Sequence, residues 1–206
     1  MKRYRVFSIA FLSLIFSTSL VNAVIIDWNC DDDGDGAIVM DDQLTTFTYD
    51  SGSNEYTLSL DGKQYWDPAH VEGDFTTDTE LDPIVWIAET VENQTTFDWT
   101  DYHIDIGMTK DFSISTSVIA PDYWTSVITQ PTSGQPLPNG GTGWLGSIDY
   151  YIGTGSPIIV GDSGDFGFKI SFLGSVDFCT EQTPTPEPAT ICLLGLGALV
   201  LRRRLR

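Results

Sequence analysis

Basic side chains are nearly missing from the body of this chain. Its 206 residues carry ten Lys and Arg against 29 Asp and Glu. Seven of the ten sit at the two ends, as Lys2, Arg3, Arg5, Arg202, Arg203, Arg204 and Arg206. Val24 to Thr183 therefore holds only Lys63, Lys110 and Lys169, and no arginine. Nucleic acid is not expected as a partner, because phosphate binding needs clustered Lys and Arg. With two histidines in all, a transition-metal centre has few nitrogen ligands to draw on. Helical periodicity is also absent: no stretch of ten or more residues in the body keeps a 3.6-residue apolar period, which leaves strands.

The long apolar runs are confined to the ends. Lys2, Arg3 and Arg5 precede the apolar, hydroxyl-rich run Val6 to Val21, and Val21-Asn22-Ala23 is a small-residue cleavage site. Residues 1–23 read as a secretory signal helix cut after Ala23. At the other end, Pro184, Pro186 and Pro188 lead into an uncharged segment, Ala189 to Leu201, closed by arginines. Thirteen helical residues span roughly 20 Å, a short crossing of a ~30 Å hydrocarbon core. The arginines hold residues 202–206 on the cytoplasmic side and place everything before Pro184 across the membrane.

This tail resembles the PEP-CTERM sorting signal of bacteria. Pro186-Glu187-Pro188, the apolar segment and Arg202, Arg203 and Arg204 follow one another in that signal's order. The resemblance implies recognition and removal of the tail by an exosortase, a membrane cysteine peptidase-transpeptidase. It also implies delivery to the cell surface or extracellular matrix, with the secretion machinery as a further partner. A plain tail anchor is the alternative. Setting both signals aside leaves residues 24–179 as one secreted domain, long enough for a core, and 180–188 as a Pro-rich linker. In that oxidising exterior Cys30 and Cys179, near the two ends of the domain, are expected to form a disulfide. Closing so long a loop stabilises by at most about 5 kcal/mol.

The first distinctive stretch of the body is Asp31-Asp32-Asp33-Gly34-Asp35-Gly36-Ala37-Ile38-Val39-Met40-Asp41-Asp42. Against the EF-hand loop, Asp31, Asp33 and Asp35 occupy ligand positions, Gly36 makes the turn, Ala37 offers a carbonyl and Asp42 closes the set. Alternate carboxylates at a glycine turn converge on one hard cation, so calcium is the ion they suit. The segment resembles dockerin calcium loops, although no flanking helices and no second copy follow. A plain acidic turn, with Gly34 and Gly36 supplying unusual backbone angles, is an equally good reading.

From Leu44 onward the apolar period is two. Phe47 and Tyr49, then Tyr56, Leu58 and Leu60, alternate with Thr and Ser, and a hairpin is expected at Asp61-Gly62. Ile84–Val91, Tyr102–Met108, Phe112–Val118, Ser147–Ile152 and Phe166–Phe172 repeat the habit. Ser133 to Gly143 reads as a loop. These short strands with frequent Gly and Asp turns predict an all-β, antiparallel, jelly-roll-like sandwich.

Chemistry is harder to find. Gly161-Asp162-Ser163-Gly164 looks like a trypsin-type serine motif with His70 and Asp105 as partners. Asp165 stands where oxyanion donors are needed, and a turn between strands explains the same residues. His103 and Asp105 share one strand face. Trp28, Trp66, Trp86, Trp99, Trp124 and Trp144 could stack on sugars or fill the core. The expected role is that of a non-enzymatic surface or extracellular-matrix protein, structural or adhesive, stabilised by one calcium ion. A carbohydrate-binding module taking extracellular polysaccharide is the alternative, and a secreted hydrolase a more distant one.

Overall fold

The structure is a computed structural model that describes residues 26–77 and 83–186, with side chains from Asp32 onward. The expected signal helix with its cut after Ala23, the segment 189–201, the basic end 202–206, and Glu187 and Pro188 lie outside the described residues.

Every described element is a strand. In order they are β1 Ile26–Asp32, β2 Ile38–Met40, β3 Thr46–Asp50, β4 Glu55–Gln64, β5 Ala69–Thr77 and β6 Ile84–Asn93. There follow β7 Trp99–Met108, β8 Phe112–Ile119, β9 Trp124–Pro136, β10 Thr142–Ile152, β11 Ser163–Phe172 and β12 Val176–Pro186. The first sheet runs β1-β5-β12-β7-β10-β9 and the second β2-β4-β6-β11-β8, with β3 added to β4.

Period-two patterning explains how the sheets face each other. On the first sheet Tyr102, Ile104, Ile106, Ile148, Tyr150 and Phe178 point inward, and on the second Leu58, Ile87, Phe166, Phe168 and Ile170 do so; all are buried. Tyr102 stacks on Phe166 across the gap, with ring centroids 4.2 Å apart and planes 14° apart. Tyr150 meets the same Phe166 edge-on at 5.2 Å. At one margin Gln130 of β9 reaches over to β8, where its amide bonds both the N–H and the C=O of Ile114. That side chain stands in for the strand neighbour an edge lacks.

Three expectations about the chain's path are corrected. One pair, β4 with β6, is parallel; β5, which connects them, lies in the other sheet, so the chain crosses over as parallel pairing requires. Asp61-Gly62 makes no hairpin but continues β4 opposite β2, where Gly62 pairs with Met40. Ser133 to Pro136 continue β9, and the turn into β10 is left to residues 137–141, with Gly140 and Gly141 at φ 91 and 82°.

The largest correction concerns the linker. Thr180 to Pro186 are the second half of β12, which lies between β5 and β7. Proline lacks an N–H and is tolerated only at a sheet edge. Pairing of β12 with β5 ends at Gln182–Ala69, while pairing with β7 continues to Pro186–Trp99. Pro184 and Pro186 therefore fall where one side of the strand is open. The sheet thus continues beyond Cys179 as far as Pro186. A secreted chain ended after Cys179 is expected to lose cooperative thermal unfolding by circular dichroism, and one ended after Pro186 to keep it. Equal melting of the two would show that Thr180–Pro186 is dispensable.

Candidate functional site

The acidic stretch folds as a chain of side-chain-capped turns. Asp32 accepts the Gly34 N–H at 3.0 Å and the Met40 N–H at 3.2 Å. Asp33 accepts the Asp35 N–H at 3.1 Å, and Asp35 the Ala37 N–H at 2.6 Å. Gly34 and Gly36 have φ of 71 and 83°, so the turns need glycine there.

Of the expected calcium ligands, Asp33 and Asp35 come together, and His70 of β5 joins them: one ligand atom from each lies within 4.8 Å of the others. Ala37 is buried and its carbonyl takes the Tyr65 N–H at 2.7 Å. Asp42 follows β2 and lines a separate groove. Asp31 pairs through its backbone with Glu72, and its carboxylate lies outside the described residues.

His70 was not foreseen as part of this loop. Its Nδ1 lies 3.1 Å from Asp33 and its Nε2 3.1 Å from Glu181. Partial burial opposes its charge, but the bonds to Glu181 and Asp33 outweigh that and raise its pKa above the ordinary 6.5. Asp33 is lowered in turn: burial works against this, and the Asp35 N–H and His70 overcome it.

The pattern repeats on the same outer face of the first sheet. His103 of β7 lies 3.0 Å from Asp105 and bonds Asp149 of β10 through its other nitrogen. The bond to Asp105, opposed by burial and reinforced by Asp149, raises His103 to about 9. Glu181 and Asp105 are direct cross-strand partners. A line of charge thus crosses the sheet: Asp33, His70, Glu181, Asp105, His103, Asp149. Asp101 beside it is raised by burial and then by repulsion from Asp149.

The trypsin-like triad is not assembled. His70 and Asp105 are engaged in separate clamps, and Ser163 belongs to β11 of the other sheet. On that second sheet a groove of about 440 Å³ is bounded by Asp41, Asp42, Leu44, Asp61, Lys63 and Glu92. Lys63 and Glu92 pair across it at 3.0 Å. Asp61 is raised by burial and by its neighbours Asp41 and Asp165.

The tryptophans divide. Trp99 and Trp124 are buried, and Trp86 lies under the Lys169 ammonium, 5.2 Å from its ring. Trp144 packs partly buried against the core. Trp66 is 49% exposed and stands beside the exposed Tyr65. The Trp28 side chain lies outside the described residues.

Cys179 is a free, buried thiol. Burial, chiefly, pushes its pKa up to about 11, so it stays protonated and unreactive. The expected Cys30–Cys179 bridge runs against the strand order, because β5 separates β1 from β12. Cys30 aligns with Gly73 and Phe178, whereas Cys179 aligns with Glu72. Two strand spacings make roughly 9–10 Å, beyond the ~7 Å that a disulfide spans between Cα atoms. Gly107 is what Cys179 packs on: a Cβ there would meet its sulfur at 2.7 Å.

β12 carries the chain straight from this face into the tail. Residues 184–206 match the PEP-CTERM protein-sorting motif. The chain is an exported exosortase substrate, destined for the cell surface or the exterior. No curated protein matches it, and no solved structure does. Three residues of the motif, Pro184 to Pro186, already belong to the sheet.

The clamped histidines set a pH dependence. A histidine raised in the folded state adds stability that is complete below its ordinary 6.5 and lost as pH rises through the folded value. For His103 that window closes at about 9. Replacing it by glutamine (H103Q) is expected to lower stability by about 1 kcal/mol at pH 6.5, allowing for its partial exposure. The gap to the native protein should vanish by about pH 10 in thermal melts. A gap of constant size over that range would mean that shape, not charge, is what His103 supplies.

Proposed function

We propose that the mature domain is a non-enzymatic component of the cell surface or extracellular matrix, structural or adhesive in role, which takes calcium at the Asp33–Asp35 loop. The observation that carries this reading is the sorting motif continuing directly from an all-β domain with an anionic face. A carboxylate-rich surface with few cations of its own attracts divalent ions and cationic groups of an external polymer. The Asp35 carboxylate oxygen that does not cap Ala37, the Asp33 oxygen now on His70 and the exposed position of both residues suit a hard cation with oxygen ligands. The test uses the purified domain and isolated matrix. Retention in calcium, release by chelator, and an upward shift of the melting temperature at millimolar calcium that is lost in D33N/D35N support the reading. Equal recovery in the supernatant with and without calcium overturns it.

A carbohydrate-binding role is the second reading, and Trp66 with Tyr65 favours it. Their rings lie 6.5 Å apart, both exposed, above the turn that follows β4. Such a pair is a platform for the apolar face of a sugar ring. Under this reading W66A abolishes binding on an array of extracellular polysaccharides and leaves the melting temperature unchanged. Binding that survives the substitution rules out the platform.

A further inference from the structure

A carboxyl group lies in the middle of the sandwich-like core, away from the charged outer faces. Glu89 of β6 is 3% exposed; its Oε2 is 2.8 Å from the Gln182 amide of β12, and its Oε1 has no hydrogen-bond partner. Around it β2, β4 and β5 present Ile38, Met40, Leu60, Gly62 and Val71, none of which titrates. The titratable groups that feel its charge are the phenols of Tyr102 on β7 and Tyr150 on β10.

The hydrogens of this network can be counted. Gln64 of β4 directs its amide nitrogen at two carbonyls, those of Trp66 and Gln182, each at 3.2 Å. Its amide oxygen is therefore the end that faces Tyr102, 2.8 Å from the hydroxyl. Tyr102 has one proton, and Gln64 takes it. The structure sets the Gln182 Oε1 at Tyr102, also 2.8 Å away, so two acceptors meet a single proton there. Turning the Gln182 amide about relieves this, its NH₂ end then donating to the phenol oxygen. That turns the Gln182 oxygen toward Glu89, where only a protonated carboxyl can complete the bond. With Glu89 ionised, Gln182 must instead give its N–H to the carboxylate, and two oxygens are left facing each other at Tyr102.

We propose that Glu89 is carried as the neutral acid in the folded protein, donating to Gln182, and that its ionisation is a built-in switch that loosens β12 from the joint between the two sheets. Burial, opposed only by the Gln182 bond, raises its pKa from 4.5 to about 7. The sign follows: the stability tied to the neutral acid is complete below 4.5 and is lost as pH rises through about 7. β12 is the strand that continues into the sorting motif, so the switch acts on the junction between the domain and its tail.

Glutamine at this position keeps a neutral donor for Gln182 at every pH, which makes E89Q the informative variant. Thermal melts of native protein and E89Q are compared from pH 4.5 to 8.5. The native melting temperature is expected to fall relative to E89Q by on the order of 5 °C or more across that range. Infrared spectra of the folded native protein at pH 6 should show a protonated-carboxyl stretching band that fades as pH passes about 7. Melting temperatures that run parallel overturn the proposal. Where E89Q does not fold, absence of the protonated-carboxyl band at pH 6 overturns it by itself.

Discussion

The last strand is held in place by hydrogen bonds made inside the core. Gln182 of β12 reaches Tyr102 and Glu89, and its own carbonyl takes an N–H of Gln64. Apolar packing alone would let β12 slide by two residues and still bury alternate side chains. A set of buried polar groups does not allow this, because each misplaced partner costs about 1–3 kcal/mol of unmet desolvation. The register of β12 in turn sets Phe178 against Phe75, and Glu181 beside His70. The aromatic contact of Tyr102 with Phe166 then closes the two sheets over the same point.

This dependence shapes the outer face as well. Once β12 lies between β5 and β7, Glu181 and Asp105 are forced into direct opposition, an arrangement that like charges disfavour. The two histidines answer it, each set between two carboxylates and raised in pKa by them. A chain with net charge −19 holds its first sheet together by placing both of its imidazoles on that sheet. Screening by external salt lessens the remaining repulsion over about 8–10 Å.

Some of this was legible locally. Strand positions at Ile84–Val91, Tyr102–Met108 and Phe166–Phe172 follow from alternation, because the side-chain period of a strand is carried by neighbouring residues. His103 and Asp105 on one face follow in the same way. The tail is legible because proline, apolar run and arginine form a contiguous signal. Hairpin chemistry misled at Asp61-Gly62, since a glycine that relieves close contact with Met40 and Ile38 looks in sequence like one that turns the chain. Proline misled at Thr180–Pro186, since an open strand edge and a free linker tolerate it equally.

What the sequence by itself determined is the class of fold and the destination of the chain, both of which rest on composition and short-range pattern. What only the tertiary structure decided is which distant groups meet. His70 finds Asp33 and Glu181 across 37 and 111 residues of chain, and Gln182 finds Glu89 across 93. Strand order determines those meetings, and strand order follows from which set of inner faces packs best, a property of the whole core that no single stretch encodes.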